Sequence, residues 1–158
     1  MLTTTQKKTA EALVNIFETG ETLGNYGQVT LLAGDTGHLT FGRSQTTLGS
    51  GNLNELLRRY CANPGARFGN RLATYLPRFA ARDLTLDKEV KLHNLLRASA
   101  DDNVMRDTQD TFFDEAYWQP AVRTAERLKI TSPLGVAVVY DSFVHGSWKL
   151  ISDRTTQQ

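Results

Sequence analysis

Phe17 to Gly42, FETGETLGNYGQVTLLAGDTGHLTFG, is the stretch whose reading decides the fold. It opens at the end of an amphipathic helix and passes Gly20 and Gly24, which stop that helix. It then enters QVTLLA (28–33), a β-forming run. Gly34-Asp35-Thr36-Gly37 has the residues of a tight turn. His38 to Gly42 reads as the returning strand, so the stretch predicts a helix followed by a small hairpin.

Upstream, Thr3, Thr4 and Thr5 are candidate N-caps of the first helix. Ala10, Leu13, Val14 and Phe17 fall on one face of it, with Glu18 one position beyond. Downstream, Ser44 to Gly51 reads as a loop. Asn52 is placed to cap a helix whose stripe is Leu53, Leu56, Leu57 and Tyr60, and Asn63-Pro64-Gly65 ends it. Helical patterning continues to the C-terminus. Pro77 predicts a kink or break within 66–82, Asp87 a cap for 88–99, and Asp101 or Asp102 a cap for 103–116. Trp118-Gln119-Pro120 restarts a helix through Leu128. Ser132-Pro133 opens PLGVAVVYDSFVHG, apolar nearly all round and so expected in the centre of the fold. The polar tail from Ser152 is expected to fray. The class is α+β, mainly helical, with one small N-terminal hairpin or sheet. The 158 residues read as one domain, 1–158, with room for two lobes.

Composition excludes several functions. Net charge is +1 with no basic block, which gives nucleic acid no footprint. No apolar run approaches the ~18 residues that span a bilayer, so no membrane partner is expected. The N-terminus lacks the apolar core of a signal peptide. Cys61 is the lone cysteine and reads as helix packing. Three scattered histidines give no convincing metal site. No P-loop, H-E-x-x-H or dinucleotide fingerprint is present, and no cofactor is expected.

Glu18 and Asp35 are the chemistry-bearing pair. Taken singly, Glu18 is a solvated helix-end carboxylate and Asp35 a turn-stabilising acid. Together, on a helix end and a hairpin tip, they can supply the acid and base of glycoside hydrolysis. Apolar surroundings would raise the Glu18 pKa into a general acid's range. Thr40 on the return strand is a β-former whose hydroxyl can hold water if it faces the site. His38 can bind sugar or serve as an ordinary hairpin residue. Asp141 and His145, four apart, share a helical face and read as structural polar groups: they satisfy each other, or Asp141 takes an Arg from elsewhere. Arg106, Asp107, Asp110 and Asp114 read as an ion-pair face, part of which can hold an acid–Arg network behind the pair.

Glu18, then Tyr26, then Gly34-Asp35-x-Gly37-x-x-Thr40-x-Gly42 resembles the signature of the family 46 chitosanases of the lysozyme-like superfamily. Asp114-x-x-Tyr117-Trp118-x-Pro120-Ala121 is similar to that family's second landmark. Tyr140-Asp141-x-x-Val144-His145-Gly146 is similar to its central-helix landmark. The resemblance implies two helical lobes with a small sheet beside a cleft, and endo-hydrolysis of β-1,4 links between amino sugars with inversion. It makes Glu18 the acid, Asp35 the base and Thr40 the helper that places water. Tyr26, His38 and Asn52 become substrate contacts, and Asp110, Asp141 and His145 supporting residues. It further implies a polysaccharide partner, a monomer, and action outside the cell or in the periplasm.

Three departures accompany the resemblance. Asn52 stands where the family usually has the Asp that reads a free amine, which weakens the case for fully deacetylated chitosan, while an N-acetylated substrate such as peptidoglycan loses less. Gly37-His38 stands where the family tends to have Arg-Gly. The chain ends soon after its His-Gly landmark, whereas family members continue, so the family's C-terminal portion is expected to be absent or to lie outside this chain. The readings from other classes are a peptidoglycan hydrolase of the muramidase type, a non-catalytic carbohydrate-binding module, and a helical interaction domain.

Overall fold

Thr3 opens the first helix, α1 (Thr4–Thr19). Its side chain accepts from Gln6 N, and the Gln6 side chain returns a bond to Thr3 N at 2.9 Å. This reciprocal box satisfies two otherwise unpaired donors. Gly20, at φ 76°, ends the helix and donates to Ile16 O at 2.9 Å, a conformation that a side chain would strain. The computed structural model describes residues 2–20, 22–31, 34, 36–43 and 45–156, the side chains at 18, 19, 151, 155 and 156 excepted. Its elements after α1 are β1 (Val29–Thr30), β2 (Thr40–Phe41), β3 (Thr46–Thr47), α2 (Asn52–Ala62), α3 (Gly69–Ala73), α4 (Leu76–Ala80), α5 (Val90–Ser99), α6 (Asn103–Phe113), α7 (Gln119–Arg127), α8 (Pro133–Val144) and α9 (Trp148–Thr156). A 3-10 turn, Leu84–Lys88, precedes α5, and a π-helical turn, Asp114–Trp118, joins α6 to α7. The fold is mainly helical with a small antiparallel sheet, as the class predicted.

These elements form two compact units. The first comprises Met1–Leu23 and Phe113–Gln158. Its core is Ala10 and Val14 of α1 against Phe113, Trp118, Ala121, Ala125, Val136, Ala137, Val139 and Tyr140. Tyr140 is fully buried and meets Trp118 and Phe113 edge-on, at ring centroid distances of 5.1 and 5.9 Å. Both later landmarks of the sequence thus meet in this core. Asp114 takes the Lys7 ammonium and the Gln119 amide, and Lys7 sits 5.2 Å above the Trp118 ring.

Three expectations for this unit are corrected. Ala10 and Val14 are buried, but Leu13 is 40% and Phe17 77% exposed, because α1 meets its neighbour along a stripe narrower than its apolar face. Helix α8 is capped by Ser132 as expected, but it is not buried all round: Leu134 and Val138, one turn apart, are exposed. The tail does not fray at Ser152, since α9 runs to Thr156, with Trp148 stacked on Phe143 at 5.7 Å.

The second unit is Gly24–Phe112. Its sheet has the order β1-β2-β3, with Val29 opposite Phe41, Thr30 opposite Thr40, and Thr40 opposite Thr47. The expected hairpin is therefore three-stranded, and each strand is only two residues long. The segment read as a loop supplies β3, because Thr46 and Leu48 are drawn into the core beside Leu39 and Phe41. Leu53, Leu56, Leu57 and Tyr60 of α2 are all buried, the stripe the spacing predicted. Pro77 lies in the first turn of α4, where its missing N–H costs nothing, so 66–82 is two short helices.

Caps differ from expectation in this unit. Gly51, at φ 87°, holds the cap position of α2, and Asn52 is the first helical residue. Asp87 does not cap α5; its carboxylate is spent on the hairpin. Asp102 does serve the start of α6, accepting from Val104 N at 3.0 Å. It also accepts from Tyr60 OH at 2.6 Å and Arg67 N at 2.9 Å. Burial works against the charged carboxylate, but these donors outweigh it and hold Asp102 below its ordinary value. Tyr60 OH accepts in turn from Phe68 N at 3.0 Å. Removing that hydroxyl strands one backbone donor and one carboxylate contact. Tyr60→Phe is expected to cost about 1–3 kcal/mol in chemical denaturation, and a loss below about 0.3 kcal/mol would show that solvent replaces the hydroxyl.

Candidate functional site

Helix α1 carries Glu18 on its last turn. Its backbone there is pinned twice: by the Gly20 cap, and by buried Asn15, whose amide donates to Thr22 O at 3.1 Å. Asn15 was not singled out by sequence, where it is one polar residue among many on the helix. The Glu18 side chain and the whole of Asp35 lie outside the described residues. The residues flanking Asp35 are held by the sheet. Gly49 N donates to Gly37 O at 3.0 Å and Leu48 N to Leu39 O at 2.8 Å, extending the β2–β3 ladder toward the turn.

Thr40 is 6% exposed at the centre of the sheet. Its hydroxyl donates to His38 O at 3.0 Å, which leaves its oxygen lone pairs to accept. His38, at φ 57°, pairs through Nδ1 with Asp87 Oδ2 at 2.9 Å. The other Asp87 oxygen accepts from Leu39 N at 2.9 Å. One carboxylate thus holds both the side chain of His38 and the next peptide, which maintains the left-handed turn before β2. His38 thus anchors the hairpin through one ring nitrogen.

Tyr26 and Asp110 are brought together across 84 residues. The phenol donates to the Asp110 carboxylate at 2.8 and 3.0 Å. The Arg43 guanidinium, with 12% of its side chain exposed, bonds the same carboxylate. Arg43 and Arg106 lie 5.6 and 5.8 Å from the Tyr26 ring centre. Burial first, and then the bond to Asp110, raise the phenol's pKa above its ordinary value. Burial of Arg43 opposes its charge, but Asp110 more than offsets this and raises its pKa. Asp110 thus takes part in an acid–Arg network, but its partner Arg43 is one basic residue in a loop with no local signature in the sequence. The predicted ion-pair face on α6 is corrected. Arg106 donates to Ala100 O at 2.6 Å, Asp110 serves Tyr26 and Arg43, and Asp114 serves Lys7. Their partners come from other elements.

Asp141 and His145 form the expected i,i+4 pair in the first unit, with 3.4 Å between His145 Nδ1 and Asp141 Oδ1. Both are part-exposed, so Asp141 is not the buried acid the apolar helix suggested. Asn52 is half-buried on the first turn of α2, and its N–H donates to Ser50 Oγ at 3.2 Å. Burial pushes the Cys61 thiol up, away from thiolate chemistry. Among the described residues, no group of three or more His, Cys, Asp or Glu stands close enough to hold a metal ion.

Comparison with known proteins gives consistent results. The profile of glycosyl hydrolase family 46 matches residues 12–154. A chitosanase of Bacillus subtilis (strain 168) is 33% identical over 148 residues, 89% of this chain and 51% of that protein. Among solved structures, a mutant chitosanase from Bacillus subtilis MY002 complexed with 6 GlcN superposes with a TM-score of 0.86 at 26% identity, covering 99% of this chain and 68% of the other. A Gynuella sunshinyii GH46 chitosanase in complex with chitotetraose gives 0.80 at 27% identity, covering 93% and 61%. The chain spans about half the length of the curated relative it matches.

The Tyr26 phenol is expected to titrate above the ordinary tyrosine value of about 10, followed by the chemical shift of its Cζ. Asp110→Ala removes the acceptor and its negative charge while Arg43 remains, so the midpoint is expected to fall. An unchanged midpoint would show that Asp110 does not load the phenol.

Proposed function

Because the chain belongs to glycosyl hydrolase family 46, we propose that it hydrolyses β-1,4 links between amino sugars, in chitosan or a related polymer, by internal cleavage with inversion. The observation that carries this function is the family match running through residues 12–154, across the motif that holds Glu18, Asp35 and Thr40. In this mechanism Glu18 protonates the departing glycosidic oxygen. Asp35 takes a proton from a water on the opposite face of the sugar, and that water attacks the anomeric carbon. The bond to the leaving oxygen breaks as the carbon–water bond forms, so the two carboxyls exchange one proton each with the reactants. Thr40 contributes an acceptor to that water, since its own proton is committed to His38 O. Inversion requires the carboxyls to stand roughly 6.5–9.5 Å apart, which leaves room for the water.

The relatives solved with 6 GlcN and with chitotetraose support a glucosamine polymer as substrate. One observation favours a second polymer. Asn52 presents no negative charge on the first turn of α2, so a cationic amine would lose a partner there and an N-acetylated cell-wall glycan would not. Peptidoglycan is therefore the alternative substrate. Tyr26 and His38 are carried as substrate contacts, and Asp110, Asp141 and His145 as supports of the site.

The test is release of reducing ends from chitosan and from purified peptidoglycan. Glu18→Gln is expected to abolish release with the thermal midpoint nearly unchanged, and normal activity in that variant would sink the assignment. Asp35→Asn is expected to lose about 10²–10⁴-fold, whereas a loss under about threefold would remove it from the mechanism. Asn52→Asp is expected to shift preference toward chitosan. Equal rates before and after would mean that position 52 does not read the sugar.

A further inference from the structure

Antiparallel strands β1 and β2 have an open end. Beyond the Val29–Phe41 pair, Gly42 N donates to Gln28 O at 2.8 Å, the last backbone bond between the two segments among the described residues. Just past it lie the carbonyl of Tyr26 and the N–H of Arg43. Neither meets the other; both meet the side chain of Gln109 on α6. Its Nε2 donates to Tyr26 O at 3.0 Å, and its Oε1 accepts from Arg43 N at 3.0 Å. The carboxamide stands in for a peptide group, offering one N–H and one C=O to the two strand ends. Gln109 is 2% exposed, so solvent is poorly placed to replace it. Gly42 makes the space: a Cβ there would lie 2.4 Å from Oε1, and its φ of 82° suits glycine alone. The next residue, Asp110, grips the phenol of Tyr26 and the guanidinium of Arg43. Consecutive residues of one helix thus hold the same two partners, one by backbone and the other by side chain.

We propose that Gln109 is a positioning residue of the candidate site: its amide closes the β1–β2 ladder and so fixes the strand that carries Thr40. This inference rests on the glycosidase function proposed above for the part that concerns rate. A two-residue strand has too few bonds to hold its own twist and register. With the end released, Thr40 moves relative to the water it helps to place, and displacements of about 1 Å can cost on the order of 10²-fold in rate. In this role Gln109 serves the strand and not the reacting groups. It acts through Arg43 N and Tyr26 O.

A carboxyl at this position gives a signature that simple loss of stability does not. In Gln109→Glu the ionised group has no donor for Tyr26 O, while its protonated form has one and keeps an acceptor for Arg43 N. The ratio of variant to parent kcat is therefore expected to rise as pH falls from about 7 towards about 4. Gln109→Leu has no such form, so its ratio is expected to stay about tenfold or more below parent at every pH. A flat ratio for Gln109→Glu, or parental kcat in Gln109→Leu, would overturn the proposal. If Gln109→Leu does not fold, the Gln109→Glu profile decides alone. The full chain is also followed by hydrogen exchange, where Arg43 N–H is expected to exchange about fivefold or more faster in Gln109→Leu, which removes its acceptor. Should the parent release no reducing ends from either polymer, the glycosidase function fails, and unchanged Arg43 exchange would then separately overturn the clamp.

Discussion

A sheet made of two-residue strands cannot hold itself together, and the arrangement of the second unit follows from how it is held. Two paired residues on each side provide few ladder bonds, far less than an isolated hairpin needs in water. The missing constraint comes from side chains on helices and turns that the strands contact. Asp87 fixes the entry to β2 through His38 and Leu39 N, and Gln109 fixes its exit. Thr46 Oγ1 donates to Phe41 O at 2.9 Å within the sheet. Leu39, Phe41 and Leu48, all fully buried, supply the hydrophobic anchor beneath. The strand carrying Thr40 is therefore a short ribbon clamped at both ends, and its precision is that of the clamps.

Each of the carboxylates that join distant segments of this unit takes more than one partner. Asp110 accepts from a phenol and a guanidinium, Asp102 from a phenol and two backbone amides, and Asp87 from a peptide while pairing with an imidazole ring. A carboxylate offers about four lone-pair sites, so one side chain can take several donors at once. Such groups are specific because their partners come from distant segments. Substituting one member leaves the others unsatisfied, so these clusters set geometry more than they add stability.

The family landmarks divide by physical role. Tyr140, Trp118, Phe113 and Ala121 form an aromatic and small-residue core in the first unit, with Asp114 tying Lys7 beside it. They are packing residues, and their spacing in sequence reflects contacts between α7, α8 and the π-helical turn. Of the motif residues, Glu18 lies on the last turn of α1 and Thr40 is buried at the centre of the sheet.

Read alone, the amino-acid sequence determined what depends on near neighbours. A threonine cap among residues 3–5, the Ser132 cap, the Leu53–Tyr60 stripe, the turn residues around Asp35 and the stop at Gly20 all follow from local periodicity and backbone preference. The motif from Glu18 to Gly42 also lies within one short stretch, which is why the family was legible. Tertiary structure alone decided whatever joins residues far apart. No local pattern shows that Arg43 and Tyr26 share Asp110, that Gln109 completes a ladder 66 residues upstream of it, or that Asp87 holds a hairpin rather than a helix. It likewise decided which apolar residues remain exposed, as Leu134 and Val138 do, and that a polar loop becomes β3. The physical reason is common to all of them. A side chain's partner is chosen by the packing of elements, and hydrophobic pattern specifies which face packs without specifying which polar groups that packing brings together.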